Sequence, residues 1–155
     1  LDFTGLISST YDVYVVEFVN VVLSANSTKL EILFSSNNGS SWDTGTNYDI
    51  AMLQIGQNGY AGTVSAGGSA YGYVTHAFST SSNNSINGSL KMFGLGSSGY
   101  KFSTFQTTNL KDDGNFYSNT GSIRYKNTSS VNAFRILSSS GNIASGTIYF
   151  YGISH

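Results

Sequence analysis

Segments in which apolar and polar residues alternate follow one another along this chain. In residues 11–23 the odd positions, such as Val13 and Val15, and the even positions, such as Val16 and Phe18, are both apolar. A period of two is typical of β-strands. Apolar residues on both faces predict a central strand that is covered on both sides, by a second layer or by an oligomer contact.

Other segments with the same alternation are predicted as strands, namely residues 29–35, 71–78, 89–94, 100–107, 122–126, 131–137 and 147–153. Clusters of Gly, Asn, Asp and Ser separate them, and these residues accept the backbone conformations of tight turns. No apolar periodicity of helical length is present. The chain is therefore predicted to be all-β, an antiparallel β-sandwich or jelly-roll-like single domain over residues 1–155.

The stretch from residue 44 to residue 69 is the least regular part of the pattern. Residues 48–57 fit a strand, whereas residues 56–62 and 65–69 are rich in Gly and predict an elaborated loop.

Composition supports a folded chain with an almost uncharged surface. Only 10% of the 155 residues are charged, against the roughly 25% that is usual for soluble domains. The 11 Tyr and 10 Phe distinguish the chain from disordered sequences, which lack aromatic residues. A single domain of this length buries about two-thirds of its unfolded surface, which is enough for its own core.

Several classes of function are disfavoured by what the sequence lacks. The seven Lys and Arg are scattered and the net charge is −1, which argues against a nucleic-acid partner. The absence of Cys excludes disulfides and thiol nucleophiles. His76 lies in a predicted strand and His155 is the last residue, so a catalytic triad is poorly supported. We predict no enzyme activity, no cofactor, no metal and no membrane insertion.

A short motif lies after the second predicted strand. Ser35, Asn37, Gly39 and Trp42 are spaced as in the Asp-box hairpin, S-x-D-x-G-x-[ST]-W, with Asn37 at the Asp position. In that motif the Asx side chain bonds the turn backbone and the aromatic residue packs below it. The motif is structural, and Trp42 is interpreted first as the anchor of the turn.

Exposed aromatic residues beside polar loops suggest a binding surface. The candidates for contact with a glycan or a receptor are Trp42, Tyr48, Tyr60, Tyr71 and Tyr73. Tyr, Asn, Ser and Gly make up adaptable binding loops in other proteins. The alternative, which we favour, is that these tyrosines pack in or near the core.

Both ends of the chain resemble virion surface proteins of tailed bacteriophages. The similar segments are LDFTGL at residues 1–6, SSTYDVY at 8–14, SGNIASGTI at 140–148 and YFYGI at 149–153. The hairpin of residues 35–45 is similar to one found after the first strands of that family. The resemblance implies a non-enzymatic β-sandwich on the virion exterior, with residues 44–82 as exposed loops.

This resemblance leaves two functions open. The first is a capsid decoration protein or fibre domain that binds neighbouring capsid or fibre subunits, expected as a homo-oligomer, with a trimer as one candidate. The second is a carbohydrate- or receptor-binding module of a tail fibre that contacts host-surface glycans. A depolymerase ranks last, because such enzymes need paired acids. Since the first residue is Leu1, the chain is expected to be processed or to be part of a longer one.

Overall fold

The architecture was described from a computed structural model, which covers residues 1–81 and 83–154. His155, and Ser82 in a predicted turn, lie outside the described residues. The strands are β1 (Asp2–Thr4), β2 (Val13–Leu23), β3 (Leu30–Ser35), β4 (Tyr48–Gly56), β5 (Ala61–Ser69), β6 (Gly72–Tyr73), β7 (Ile86–Phe93), β8 (Lys101–Leu110), β9 (Phe116–Tyr125), β10 (Ala133–Ser138) and β11 (Ile143–Ile153). The described residues contain no helix that could cross a membrane.

The strands form two antiparallel sheets of unequal size. One has four strands in the order β1-β10-β3-β6, and the other has seven in the order β11-β2-β7-β8-β9-β4-β5. Their facing sides enclose one hydrophobic core. The prediction of an all-β antiparallel sandwich is confirmed.

A column of aromatic rings joins the two sheets at one end of the core. Phe3 of β1 stacks on Phe134 of β10 with ring centroids 4.4 Å apart. Phe134 lies 4.9 Å from Phe150 of β11, which stacks on Tyr14 of β2 at 5.4 Å. Each such ring buries on the order of 150–250 Å² of surface. The two ends of the chain are therefore fixed to each other through the core.

The doubly apolar segment of residues 11–23 has a specific cause. A β-bulge interrupts the pairing of β2 with β7, because Phe18 pairs with Gly88 but Val21 pairs with Ile86. The bulge contains Asn20, which adopts a φ of 52°. One extra residue reverses which positions face inward. The residues that face the core have even numbers before the bulge and odd numbers after it. This switch explains part of why both even and odd positions of the segment are apolar.

Most of the Gly-rich stretch after β4 is a strand, and only residues 57–60 form the predicted loop. Residues 61–69 form β5, which pairs with β4 in a register that places Ala51 opposite Ser65. Val64 and Ala66 pack against the core from this position. The prediction that residues 44–82 are exposed loops is therefore wrong for β4, β5 and β6. As an edge strand, β5 has little core to fill, and small side chains suffice there.

The predicted strand at residues 71–78 was also wrong for most of its length. Gly72 and Tyr73 pair with β3 as β6, and Phe78 forms an isolated bridge with Thr28. Val74 and Thr75 are held partly through side chains. Leu30 donates its backbone N–H to Thr75 Oγ1 at 2.8 Å, Thr107 Oγ1 donates to the Val74 carbonyl at 2.5 Å, and the Val74 N–H donates to the Leu30 carbonyl at 3.0 Å. His76 therefore lies in an irregular segment and not in a strand. Burial lowers the pKa of its imidazole.

Part of the interior of the seven-stranded sheet is polar. Gln54, Asn109 and Asn119 are at most 2% exposed. Gln54 Nε2 donates to Asn119 Oδ1 at 2.8 Å, and Asn119 Nδ2 donates to Asn109 Oδ1 at 3.0 Å. The network links β4, β9 and β8 through their inward faces.

A buried ammonium joins two loops at the other end of the same sheet. Lys101 Nζ donates to the carbonyl of Gly99 at 2.7 Å, to that of Ser129 at 2.6 Å and to that of Asn127 at 3.3 Å. Desolvation lowers the pKa of Lys101. The side chain fixes the loop after β9 to the start of β8.

Glu31 makes stability depend on pH. Burial on the outer side of β3 raises the pKa of its carboxyl from 4.5 to about 7, although the Lys29 ammonium acts in the opposite direction. The folded chain thus holds this proton more tightly than the unfolded chain does, and the resulting stabilisation is full below pH 4.5 and is lost as the pH rises to 7. We expect Glu31→Gln to raise the free energy of unfolding by about 1–2 kcal/mol at pH 8 and by almost nothing at pH 4.

Urea unfolding at the two pH values measures this difference. Glu17→Gln on β2 is the matched control, because Glu17 lies on the more open face of the other sheet, and it should give no such pH-dependent gain. An equal effect of Glu31→Gln on the free energy of unfolding at pH 4 and pH 8 would contradict the raised pKa of the Glu31 carboxyl.

Candidate binding surface on the seven-stranded sheet

The seven-stranded sheet has one face on the core and one face toward solvent. Along β8, Ser103, Phe105 and Thr107 are buried, whereas Phe102, Thr104 and Gln106, which alternate with them, are exposed. The same alternation runs along β4 and β9. Successive side chains of a strand point to opposite faces, so the exposed positions form one continuous surface. We call this surface the outer face.

The strand register fixes which side chains are neighbours on the outer face. Across β11, β2, β7, β8, β9 and β4, one row contains Tyr151, Val15, Lys91, Thr104, Ser122 and Ala51, of which Val15 is covered by its neighbours and buried. The next row contains Tyr149, Glu17, Ser89, Gln106, Thr120 and Leu53. A third row, on the other side of the first, contains Ile153, Val13, Phe93, Phe102, Arg124 and Asp49.

One group of large apolar side chains on this face lies along β11 and in the third row, apart from Leu53 and Ile55 on β4. The aromatic end, as we name it, comprises Tyr149, Tyr151, Ile153, Phe93 and Phe102. Each is between 37% and 57% exposed. A contiguous apolar patch of this kind on a polar domain typically marks an interaction site.

Only a few charges border the aromatic end. The Tyr151 hydroxyl donates to Glu17 Oε1 at 3.1 Å, and this hydrogen bond raises the pKa of Tyr151. Arg124 and Asp49 form an ion pair at the far side of the same row as Phe102.

Strand β11 lies at the edge of the sheet beside the aromatic end. Its eleven residues include no Asp, Glu, Lys, Arg or Pro. Register shifts interrupt its pairing with β2 between Ile143 and Thr147, after which residues 147–153 pair regularly. Edge strands are usually protected by charges, Pro or bulges. The bulges protect only the first part of β11.

The centre of the outer face is a trough of about 540 Å³. Its sides are the short or polar side chains of three adjacent strands, Ser89, Lys91, Thr104, Gln106, Thr120 and Ser122. Phe105 and Gly121, whose side-chain positions face the core, contribute to its floor. The trough exists because small residues lie between the bulky aromatic end and Leu53 on β4.

The structure does not bring the five predicted aromatic residues together. Tyr48 is fully buried, and its hydroxyl accepts a hydrogen bond from the Phe34 backbone N–H at 2.9 Å. Tyr73 is 5% exposed and has the Lys29 ammonium 4.2 Å from its ring centre. A ligand-contact role for Tyr48 and Tyr73 is thus contradicted, because neither ring has a face open to solvent.

The other three predicted residues lie apart from one another. Tyr60 is exposed between β4 and β5, at the end where its ring meets that of Tyr117. Tyr71 packs partly buried against the core. Trp42 lies beside the four-stranded sheet, with the Arg135 guanidinium 4.6 Å from its ring centre.

The turn at residues 35–42 is held by its own side chains. Ser35 Oγ accepts hydrogen bonds from the N–H groups of Asn37 and Gly39, and Asn37 Oδ1 accepts one from the Ser41 N–H at 2.9 Å. Gly39 has a φ of 83°, which favours glycine. The chain then crosses to the other sheet, so β3 and β4 flank the turn without pairing.

Sequence reasoning did not single out the outer face. The uncharged stretch of residues 143–153 and the alternation of Phe102, Thr104 and Gln106 were visible in the sequence. The order of the strands in the sheet, which makes these residues neighbours, was not.

The part of the chain that the structure describes holds no group of three or more His, Cys, Asp or Glu suited to a metal ion. No protein-family model, curated protein or solved structure matches this chain.

Proposed function

We propose that this domain is a non-enzymatic structural protein of a tailed-phage virion, a capsid decoration protein or a fibre domain, that binds neighbouring subunits. The observation that supports it most directly is the aromatic end beside the uncharged edge strand β11. The resemblance of the two ends of the chain to virion surface proteins supplies the setting, the exterior of the particle. A chain without Cys also suits long exposure outside a cell, because it has no thiol to oxidise.

The neighbour that fits β11 best is a second copy of the same strand. Two identical strands can pair antiparallel about a twofold axis, which satisfies the free backbone groups of both edges. Since residues 147–153 are uncharged, such pairing places no like charges opposite each other. The half-exposed side chains of Tyr149, Tyr151 and Ile153 lie on the paired strand itself and add apolar contact to the interface.

Single-cysteine cross-linking tests this pairing against a background without thiols. We expect Tyr149→Cys, Tyr151→Cys or Ile153→Cys to form a disulfide dimer under mild oxidation, strongest at the residue nearest the twofold axis. Outward side chains that face each other across paired strands have Cβ atoms about 4.5–5.5 Å apart, close to disulfide geometry. Ser65→Cys, on the opposite edge strand β5, is the control and should stay monomeric.

A charge-introducing variant provides the second measurement. We expect Tyr149→Lys combined with Tyr151→Lys to raise the dissociation constant of the dimer by about 100-fold, because two like-charged strands then face each other. Sedimentation velocity measures the change. A wild-type chain that stays monomeric, or a dimer that tolerates both lysines, would refute association through β11.

The virion setting needs its own test. We expect mass spectrometry of purified particles to detect the chain, and cryo-electron microscopy to place its density on the outside. Absence of the chain from purified particles would rule out a virion role while leaving the association data intact.

The second candidate is a carbohydrate- or receptor-binding module of a tail fibre. The observation that favours it is the polar trough, and not the five aromatic residues predicted from the sequence. A glycan array distinguishes the two sites. If the Trp42→Ala, Tyr60→Ala double variant still binds glycans, recognition lies away from the predicted residues. If the double variant loses glycan binding, Trp42 and Tyr60 belong to the site.

A further inference from the structure

We infer that the trough on the outer face binds a short segment of an oligosaccharide, with Thr104 and Gln106 of β8 at its centre. This inference gives the second candidate function, on which it rests, a site and a class of ligand. It does not depend on pairing through β11, because β2 and β7 separate that edge from β8.

The polar groups of the trough are free to bond a ligand. Within residues 1–81 and 83–154, no protein group hydrogen-bonds the side chains of Ser89, Lys91, Thr104, Gln106, Thr120 or Ser122. The hydroxyls and the amide of this set can both donate and accept. A sugar presents the same two capacities on each hydroxyl, so these side chains match a polyhydroxylated surface over three strands.

The border of the trough suits the apolar part of a sugar ring. Phe102 precedes Thr104 by two positions on β8, and it pairs with Phe93 on β7. Both rings are exposed at the aromatic end. Amphipathic ligands are typically bound by an apolar surface with a few placed polar groups.

Other occupants fit the trough less well. Among the residues that the structure describes, Lys91 is the only charged one that lines it, so neither a metal ion nor a nucleic-acid backbone finds the charge it needs. A peptide strand cannot add at this place, because β8 is already paired on both sides with β7 and β9. The volume of about 540 Å³ is typical of small-ligand sites.

NMR titration of the ¹⁵N-labelled chain tests the site directly. The probes are cellohexaose, the hexamer of N-acetylglucosamine and the hexamer of galacturonic acid, each up to about 10 mM. The last probe reports whether Lys91 selects an acidic sugar. We expect at least one of them to shift the amide signals of residues 89–91, 104–106 and 120–122. The titration uses the Tyr149→Lys, Tyr151→Lys chain, in which dimerisation through β11 is expected to be weakened and therefore to disturb the signals less.

Two variants separate recognition from folding. We expect Thr104→Val to weaken binding about 3- to 10-fold and Gln106→Leu to do the same, because each removes polar contacts at almost constant shape. Thr63→Val, on the same face but on β5, is the control and should change the dissociation constant less than about 2-fold.

Either of two results would overturn the site. One is that none of the three oligosaccharides shifts the trough residues, and the other is that Thr104→Val and Gln106→Leu bind as tightly as the parent chain. Shifts confined to Tyr60 and Trp42 would likewise place the sugar elsewhere. If no oligosaccharide binds the trough but the β11 cysteine variants still form disulfide dimers, the proposed structural role is unaffected.

Discussion

Asn119→Leu is expected to lower the free energy of unfolding by about 3–4 kcal/mol, the largest single effect we predict. The substitution removes the partners of Gln54 and Asn109, both almost inaccessible to water. An unsatisfied buried amide costs about 1–3 kcal/mol, and two are left. Urea unfolding followed by intrinsic fluorescence measures the loss.

The pair Gln54 and Asn119 allows a double-mutant cycle. Replacing both by Leu removes the orphaned amide of Gln54, so the double variant should be more stable than the sum of the single effects by about 1–2 kcal/mol. Thr120→Leu, one position along β9 and facing outward, is the control and should change stability by less than about 0.5 kcal/mol. Strict additivity of Gln54→Leu and Asn119→Leu would show that the network is not coupled.

Lys101→Met is expected to cost about 2–3 kcal/mol. Methionine fills a similar volume but donates no hydrogen bond, so the carbonyls of Gly99, Asn127 and Ser129 lose a charged partner. The loss should be accompanied by faster amide exchange in residues 126–132, because the loop after β9 is then no longer fixed to β8. Hydrogen exchange followed by mass spectrometry measures it.

Lys91→Met is the matched control for this prediction. It deletes an ammonium on the outer face that has no hydrogen-bond or ion-pair partner among the described residues, and its effect should stay below about 0.5 kcal/mol. Equal destabilisation by both variants would show that Lys101 acts through net charge and not through the three carbonyls.

The strands with clean alternation could be predicted from the sequence, and those that depend on tertiary context could not. Residues 100–107 alternate strictly and form β8 nearly as expected. Residues 71–78 alternate as well, yet Thr75 and Val74 bond to side chains and backbone of other strands, and pairing is limited to β6 and the isolated bridge of Phe78. The Gly-rich β5 was missed because glycine lowers strand propensity, and only pairing with β4 gives it a strand conformation.

The candidate surface was even less accessible to sequence reasoning. Tyr48 and Tyr73 are of a residue type that is common in binding loops, but the packing of the two sheets buries both of them. Thr104 and Gln106 look like ordinary strand residues, and they become neighbours of Ser89 and Ser122 only through the order of β7, β8 and β9. Which face of a strand is covered, and by which neighbour, is a property of topology.

The bulge at Asn20 has a consequence for how this chain tolerates insertions and deletions. Because one extra residue lets Val21 and Leu23 enter the core, a deletion of Asn20 alone would send both toward solvent. A compensating insertion between Val21 and Leu23 would return Leu23 to the core but leave Val21 toward solvent. The length of this strand is therefore under tighter constraint than the identity of its residues, and homologues should keep the spacing between Phe18 and Val21 even where the residues between them differ.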